Sequence, residues 1–177
     1  SAAVAEETPT AQEIGSVRVY LTAVQARSKI FPQAEYHEAS NAAARSLDGD
    51  HGEGTSSFAA DSVRLYIAYA RDGKLLGYTV ILNKIGKFRP ITFMVGVTPD
   101  FGVKDVAILV YRESRGGQVR RARFLRQYRG KTASDPIRIN RDIINITGAT
   151  LSVRALNHGI RKAVRLTEKR YRTPSTP

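Results

Sequence analysis

The chain has 177 residues, with 28 Lys and Arg against 16 Asp and Glu, and neither Cys nor Trp. Lack of Cys excludes disulfides, thiolate metal sites and Cys nucleophiles. A hydrophobic content of 42% argues against a disordered chain, and no run approaches the roughly 18 apolar residues of a membrane-spanning helix. The charge is unevenly spread: residues 1–60 carry 4 basic and 8 acidic side chains, and residues 61–177 carry 24 and 8. The second part suits an anionic partner, whether nucleic acid, an acidic membrane surface or a phosphorylated cofactor; a solvated basic surface explains the charge equally well.

In chain order, residues 1–16 are rich in Ala, Glu and Thr and read as a flexible terminal segment. The chain begins at Ser1 rather than Met, so a processed precursor with a removed signal or anchor is the expectation. Val17, Leu21 and Val24 recur at helical spacing and predict a helix from Val17 to Ile30, stopped by Pro32. Residues 37–57 are small and polar and read as a loop. Its acidic run from Asp48 to Glu53 lacks the oxygen spacing and closing Glu of a calcium loop. Val63 to Ala70 alternates as a strand, Asp72-Gly73 signals a hairpin, and Leu75 to Leu82 is the second strand. After a basic connection from Lys84 to Arg89, Ile91 to Val97 and Val103 to Val110 are strands joined by the Pro99–Gly102 turn. Together they predict an antiparallel meander.

Beyond it comes the Gly-containing loop Arg112–Gly117. A helix follows from Val119 to Tyr128, with Arg120, Arg121, Arg123 and Arg126 on one side, and Gly130 ends it. Asp135 to Asn140 reads as a connection or short strand, and Ile143, Ile144 and Ile146 as a buried strand. The last helix carries Val153, Leu156, Ile160 and Val164 on one face and Arg154, Arg161, Arg165 and Lys169 on another. His158 on this helix reads as a surface or core residue rather than a catalyst. The expected fold is α+β: a twisted antiparallel sheet with packed helices forming one domain over residues 17–171, followed by a disordered tail over 172–177.

The last helix opens from Thr147-Gly148-Ala149-Thr150-Leu151-Ser152. A helix N-terminus offers unpaired N–H groups and roughly half a positive charge, which suits a phosphate. Spacing alone favours the plainer reading, with Thr150 as an ordinary N-cap and Ser152 a solvated residue of the first turn. A nucleotide-binding P-loop is a poor fit, because no Lys follows the turn.

The run Ile146–Ser152 resembles the flavinylation motif of FMN-binding domains, as found in the sodium-pumping NADH:quinone reductase and in the Rnf complex. Upstream, Phe93–Val97, Phe101–Val103, the loop Arg112-Glu113-Ser114-Arg115-Gly116-Gly117 and the run Phe124–Lys131 are similar to further parts of that family, in the same order over roughly residues 75–166. The resemblance implies that FMN is joined by a phosphoester to Thr150. Thr147, Gly148, Ala149, Leu151 and Ser152 would surround it, with Arg112, Glu113, Ser114, Gly116 and Gly117 near the flavin. One position departs from the family pattern. Its Asp, six residues before the modified Thr, is Ile144 here, with Asn145 and Asp142 the nearest amide and acid. Covalent attachment and non-covalent holding of FMN are both open at this point.

The implied function is relay of electrons by a domain that turns over no substrate of its own. The implied partners are a flavin transferase during maturation and redox proteins or a membrane-bound electron-transfer complex in service. The implied location is the periplasm or the outer face of the cytoplasmic membrane. Two alternatives stand beside it: a basic module for nucleic acid or an acidic surface, and a flavin-free structural domain of the same fold. No nucleic-acid-binding signature accompanies the basic residues, which weighs against the first.

Overall fold

The computed structural model describes residues 17–39, 63–113 and 115–173. The 1–16 segment, the acidic loop around Asp48, Ser114 and residues 174–177 lie outside the described residues. The fold is α+β, a curled antiparallel sheet with helices on both faces. The strands are β1 (Arg18–Val19), β2 (Tyr36–Ala39), β3 (Arg64–Tyr69), β4 (Leu75–Ile85), β5 (Pro90–Val97) and β6 (Val103–Tyr111), in spatial order β1-β6-β5-β4-β3-β2. The predicted meander is therefore the centre of a six-stranded sheet.

Periodicity misses both edges, because each is short and sits in a stretch with another pattern. Arg18 and Val19 pair with Tyr111 and Val110, so the first helix does not begin at Val17. Helix α1 runs from Ala23 to Ile30 and starts behind Thr22. The Thr22 side chain accepts from Gln25 N at 3.2 Å, and Gln25 Oε1 accepts from Thr22 N at 2.9 Å. This capping box fixes the helix start more firmly than the spacing of Val17 and Leu21 could. On the other edge, residues 36–39 pair with Tyr69 to Tyr66, so the predicted loop from residue 37 opens as a strand.

Apolar side chains alternate across the sheet and fill two cores. One face of β4, β5 and β6 packs beneath the long helix α3 (Thr150–Tyr171), where Val153, Leu156, Ile160 and Val164 are fully buried. Burying each such side chain contributes roughly 1.5–3 kcal/mol. The helix rides close to the sheet: a Cβ added at Gly159 would lie 2.3 Å from the Phe93 ring. The opposite face carries α1, with Ile30 and Phe31 packed among Ile81, Met94 and Leu109.

The predicted helix from Val119 to Tyr128 is broken into a 3-10 turn (Gly117–Arg120), a single turn α2 (Ala122–Leu125) and a second 3-10 turn (Arg126–Tyr128). Arg121 at φ −60 and ψ 130 interrupts the first junction, and no side chain caps any of the three pieces. Tertiary contact holds this arm in place, with Val119, Phe124, Leu125 and Tyr128 buried in the larger core. The predicted strand over Ile143–Ile146 is not formed. Ile143 is buried, Ile144 is 78% exposed, and the segment makes one isolated bridge, Ile139 to Ile143. Three isoleucines close together read as a strand when their faces are unknown; here they point in different directions from an irregular loop.

Candidate functional site

The site begins with an irregularity in β6. Thr92 pairs with Val110, but Phe93 pairs with Ile108, so Leu109 is an extra residue opposite β5. Its carbonyl instead accepts from Tyr20 N at 2.8 Å. Such a bulge reverses the in–out alternation beyond it. Tyr111 accordingly belongs to the core beneath α3, whereas Leu109 and Val110 face α1. The Tyr111 hydroxyl reaches the start of α3, where it lies 2.8 Å from Ser152 Oγ, and it also donates to the Arg115 carbonyl. Burial pushes its pKa up; the Ser152 hydrogen bond opposes this and the Glu113 charge adds to it.

Tyr111 thus ties the Arg112–Gly117 loop to the Thr147–Ser152 turn. Gly116 sits at the contact with φ +86. A Cβ there would meet Tyr111 Oη at 2.6 Å and Ser152 Oγ at 3.0 Å. Of the residues singled out in that loop, Gly116 and Gly117 lie against this assembly. Arg112 and Glu113 turn instead to the β4–β5 hairpin. Arg112 Nη1 donates to the Pro90 carbonyl and to Thr92 Oγ1 at 3.0 and 2.8 Å. Buried Glu113 accepts from Phe88 N and Arg89 N at 2.5 and 2.9 Å through one oxygen, Oε1. Burial lowers the Arg112 pKa.

The turn itself departs from simple capping. Ala149 is the N-cap of α3, with φ −126 and no side-chain hydrogen bond, and Thr150 is the first helical residue. Thr150 is therefore not the cap. Its Oγ1 accepts from Asn145 Nδ2 at 2.8 Å. Ser152 is not solvated either: it is 5% exposed and held by Tyr111. Ala149 N donates to the Ile146 carbonyl at 3.0 Å, closing the turn, and Gly148 has φ +81 with open space where a side chain would stand. Thr147 and Gly148 are exposed, and Leu151 is 43% exposed.

The preceding loop is pinned from several sides. Gln127 accepts from Ile144 N at 2.7 Å. Asp142 accepts from Ile137 N and Arg138 N at 3.1 and 2.9 Å and pairs with Lys131 at 3.2 Å. Burial alone would raise the Asp142 pKa, but these N–H groups and Lys131 together hold it below the usual carboxylate range. Ile137 is β-branched yet has φ +46, a costly conformation held because Asp142 takes its N–H and Arg161 Nη1 donates to its carbonyl at 2.5 Å. Tyr128, buried beneath this loop, donates to Asn157 on α3 at 2.7 Å, and burial drives its pKa strongly upward.

These residues fit a phosphate-bearing group. The first turn of α3 has no side-chain cap, so its first N–H groups are left without a capping side chain. A neutral amide donor stands beside the Thr150 hydroxyl, and the carboxylates of Glu113 and Asp142 are turned into backbone N–H groups. Asn145 Oδ1 is buried and has no partner among the described residues. A hollow of about 410 Å³ lined by residues 140–145 opens beside the turn. Arg115, Arg121, Arg123 and Arg126 are exposed on the neighbouring arm, and the Arg120 guanidinium lies 4.5 Å from the Tyr20 ring centre. Among the described residues no group of three or more His, Cys, Asp or Glu is placed to hold a metal.

Sequence reasoning misses Tyr111, because the bulge that turns it inward has no signature, and Gln127, whose role depends on a loop far along the chain. Residues 86–165 match the family model of the FMN-binding domain. That span takes in β5, β6, the arginine-rich arm, the Thr-Gly-Ala-Thr turn and most of α3, and the match suggests flavin binding and electron transfer. No curated protein matches the chain.

Proposed function

We propose that this protein carries FMN joined by a phosphoester to Thr150 and relays electrons between redox partners. The observation that carries the reading is the uncapped start of α3, where the half-buried Thr150 hydroxyl is held by Asn145 behind an open Gly148. Within a span that matches an FMN-binding domain, this is a hydroxyl on the first turn of a helix that no side chain caps. The helix dipole and those N–H groups favour the single negative charge that a phosphodiester retains. Bound FMN supplies chemistry in one- or two-electron steps, so a two-electron donor and a one-electron acceptor can be served by one centre. The chain's own part is to fix the phosphate end, through Thr150 and the first turn, and to keep the adjoining loop in place through Tyr111, Ser152 and Gly116. Exposed arginines of the 115–126 arm add positive potential, which favours the negative charge of reduced flavin.

Attachment requires a flavin transferase, and service requires redox proteins or a membrane-bound electron-transfer complex. A covalent tether accords with the periplasm or the outer face of the cytoplasmic membrane, where a lost cofactor is hard to replace. Coexpression with a flavin transferase tests the reading. The expected product is yellow after acid precipitation, heavier by one FMN less water at Thr150, and colourless as Thr150→Val. A colourless, unmodified wild-type protein from that coexpression would refute it.

A further inference from the structure

The hook from Ile144 to Thr150 presents one amide to one hydroxyl. Gln127 fixes Ile144 at its backbone N–H, Ile143 is anchored in the core, and the Ile146–Ala149 turn brings the chain back. Asn145 therefore reaches across to Thr150 from a rigid base, with Nδ2 donating to Oγ1 at 2.8 Å.

The direction of that bond matters chemically. Because Oγ1 accepts, the hydroxyl keeps its proton for another group, and an amide cannot remove it. The carboxylates of Asp142 and Glu113 are engaged elsewhere: Asp142 by Ile137, Arg138 and Lys131, and Glu113 Oε1 by the β4–β5 turn. After esterification Oγ1 has no proton and can only accept, so the same N–H bond survives. A carboxylate in this place would act as a base towards the free hydroxyl, but would repel the phosphodiester once it formed.

We infer that Asn145 is the positioning residue of this site: it holds the Thr150 oxygen in both its free and its esterified form, and leaves proton removal to the attaching enzyme. The inference rests on Thr150 being the attachment point. In the transfer it serves, the Oγ1–phosphorus bond forms as a phosphoanhydride bond of a flavin dinucleotide donor breaks. A nucleoside monophosphate leaves, and the hydroxyl proton passes to a base of the enzyme; no oxidation occurs.

The test measures attachment rate against pH by intact mass, using purified apo-protein, a flavin transferase and flavin dinucleotide, for wild type, Asn145→Leu, Asn145→Asp and Thr150→Val. Asn145→Leu loses one hydrogen bond to the reacting oxygen, so its rate at saturating donor is expected to fall about tenfold, while its unmodified form melts as a folded protein. For Asn145→Asp the ratio of its rate to that of wild type is expected to rise with pH through the carboxylate range, because its ionised form takes the proton. The increase in melting temperature on attachment is expected to be smaller in both Asn145 variants than in wild type. Attachment to Thr150→Val would overturn the reading on which the inference rests. With Thr150→Val unmodified, an Asn145→Leu rate within twofold of wild type or a pH-independent ratio for Asn145→Asp would overturn the inference itself. If Asn145→Leu fails to fold, the shape-conserving Asp variant decides.

Discussion

Tyr111→Phe removes one oxygen and keeps the ring that fills the core, so it isolates the tie between the Arg112–Gly117 loop and α3. Two contacts go: the one with Ser152 Oγ at 2.8 Å and the one with the Arg115 carbonyl. Each hydrogen bond contributes about 1 kcal/mol net, and leaving a buried hydroxyl unsatisfied costs about 1–3 kcal/mol. Ser152 is 5% exposed, so water does not replace the lost partner easily. The expected destabilisation is about 2 kcal/mol, or roughly 4–8 °C in melting temperature for a domain of this size.

Thermal and urea unfolding followed by circular dichroism measure it. A cycle with Ser152→Ala should show that the two substitutions are not additive, with a coupling of about 0.5–1.5 kcal/mol. The same tyrosine gives a pH signature. Its pKa in the folded state is raised above the ordinary 10.0, so its contribution is complete below pH 10 and lost as pH climbs through the folded value. Tyr111→Phe should therefore flatten part of the alkaline loss of stability. A Tyr111→Phe protein within about 0.5 kcal/mol of wild type, with an unchanged alkaline limb, would refute the argument that this hydroxyl holds the loop to the helix.

Three further outcomes follow from the geometry. Gly116→Ala and Gly148→Ala both strain a left-handed residue, but only the first meets atoms, at 2.6 and 3.0 Å; calorimetry should show about 1 kcal/mol lost at Gly148 and a clearly larger loss at Gly116. Asp142→Asn should cost about 1–3 kcal/mol by urea unfolding, because two backbone N–H groups and Lys131 lose a charged acceptor. Since the Asp142 pKa is lowered from 3.8, its contribution is present above that value and lost as pH falls below it, so Asp142→Asn should show a shallower acid transition. Ile144→Asp replaces a side chain that is 78% exposed, so stability by urea unfolding should stay within about 0.5 kcal/mol; if Thr150 is the attachment point as proposed, an acid restored at the position of the resembled motif should speed attachment assayed by mass.

What is legible in the sequence is what local chemistry decides. β3 to β6 are readable because alternation and turn residues act over a few positions, and the buried face of α3 because its spacing repeats along the helix. The capping box at Thr22 and Gln25 is also written locally, yet the apolar spacing upstream of it points to an earlier helix start. Thr150, Gly148 and Gly116 can be named from motif, but their roles cannot. Whether Thr150 caps its helix depends on the backbone angles of Ala149, and whether Ser152 is solvated depends on a tyrosine 41 residues earlier. Asn145 stands in plain view as an amide near the turn; that it faces Thr150 is set by Gln127, which holds the loop from 17 residues away.

The hook's two unusual positions divide one task. In the motif that Ile146–Ser152 resembles, an acid precedes the turn by a fixed interval; here that interval falls on Ile144, which is exposed, and the amide beside Thr150 comes from the next residue, Asn145. A carboxylate at the inward place would have to coexist with the phosphodiester proposed at Thr150, two anions at one helix start. The helix dipole, worth roughly half a charge, does not offset both. An amide removes that conflict and keeps the hydrogen bond, at the cost of losing a base. Under the proposed attachment at Thr150, the missing base has to arrive with another protein, and Ile144, Gly148 and Leu151 are the exposed residues of this stretch that it can meet. On that proposal attachment depends on the approach of the other protein, and substitutions at these exposed residues are expected to change the rate of attachment more than the stability of the product.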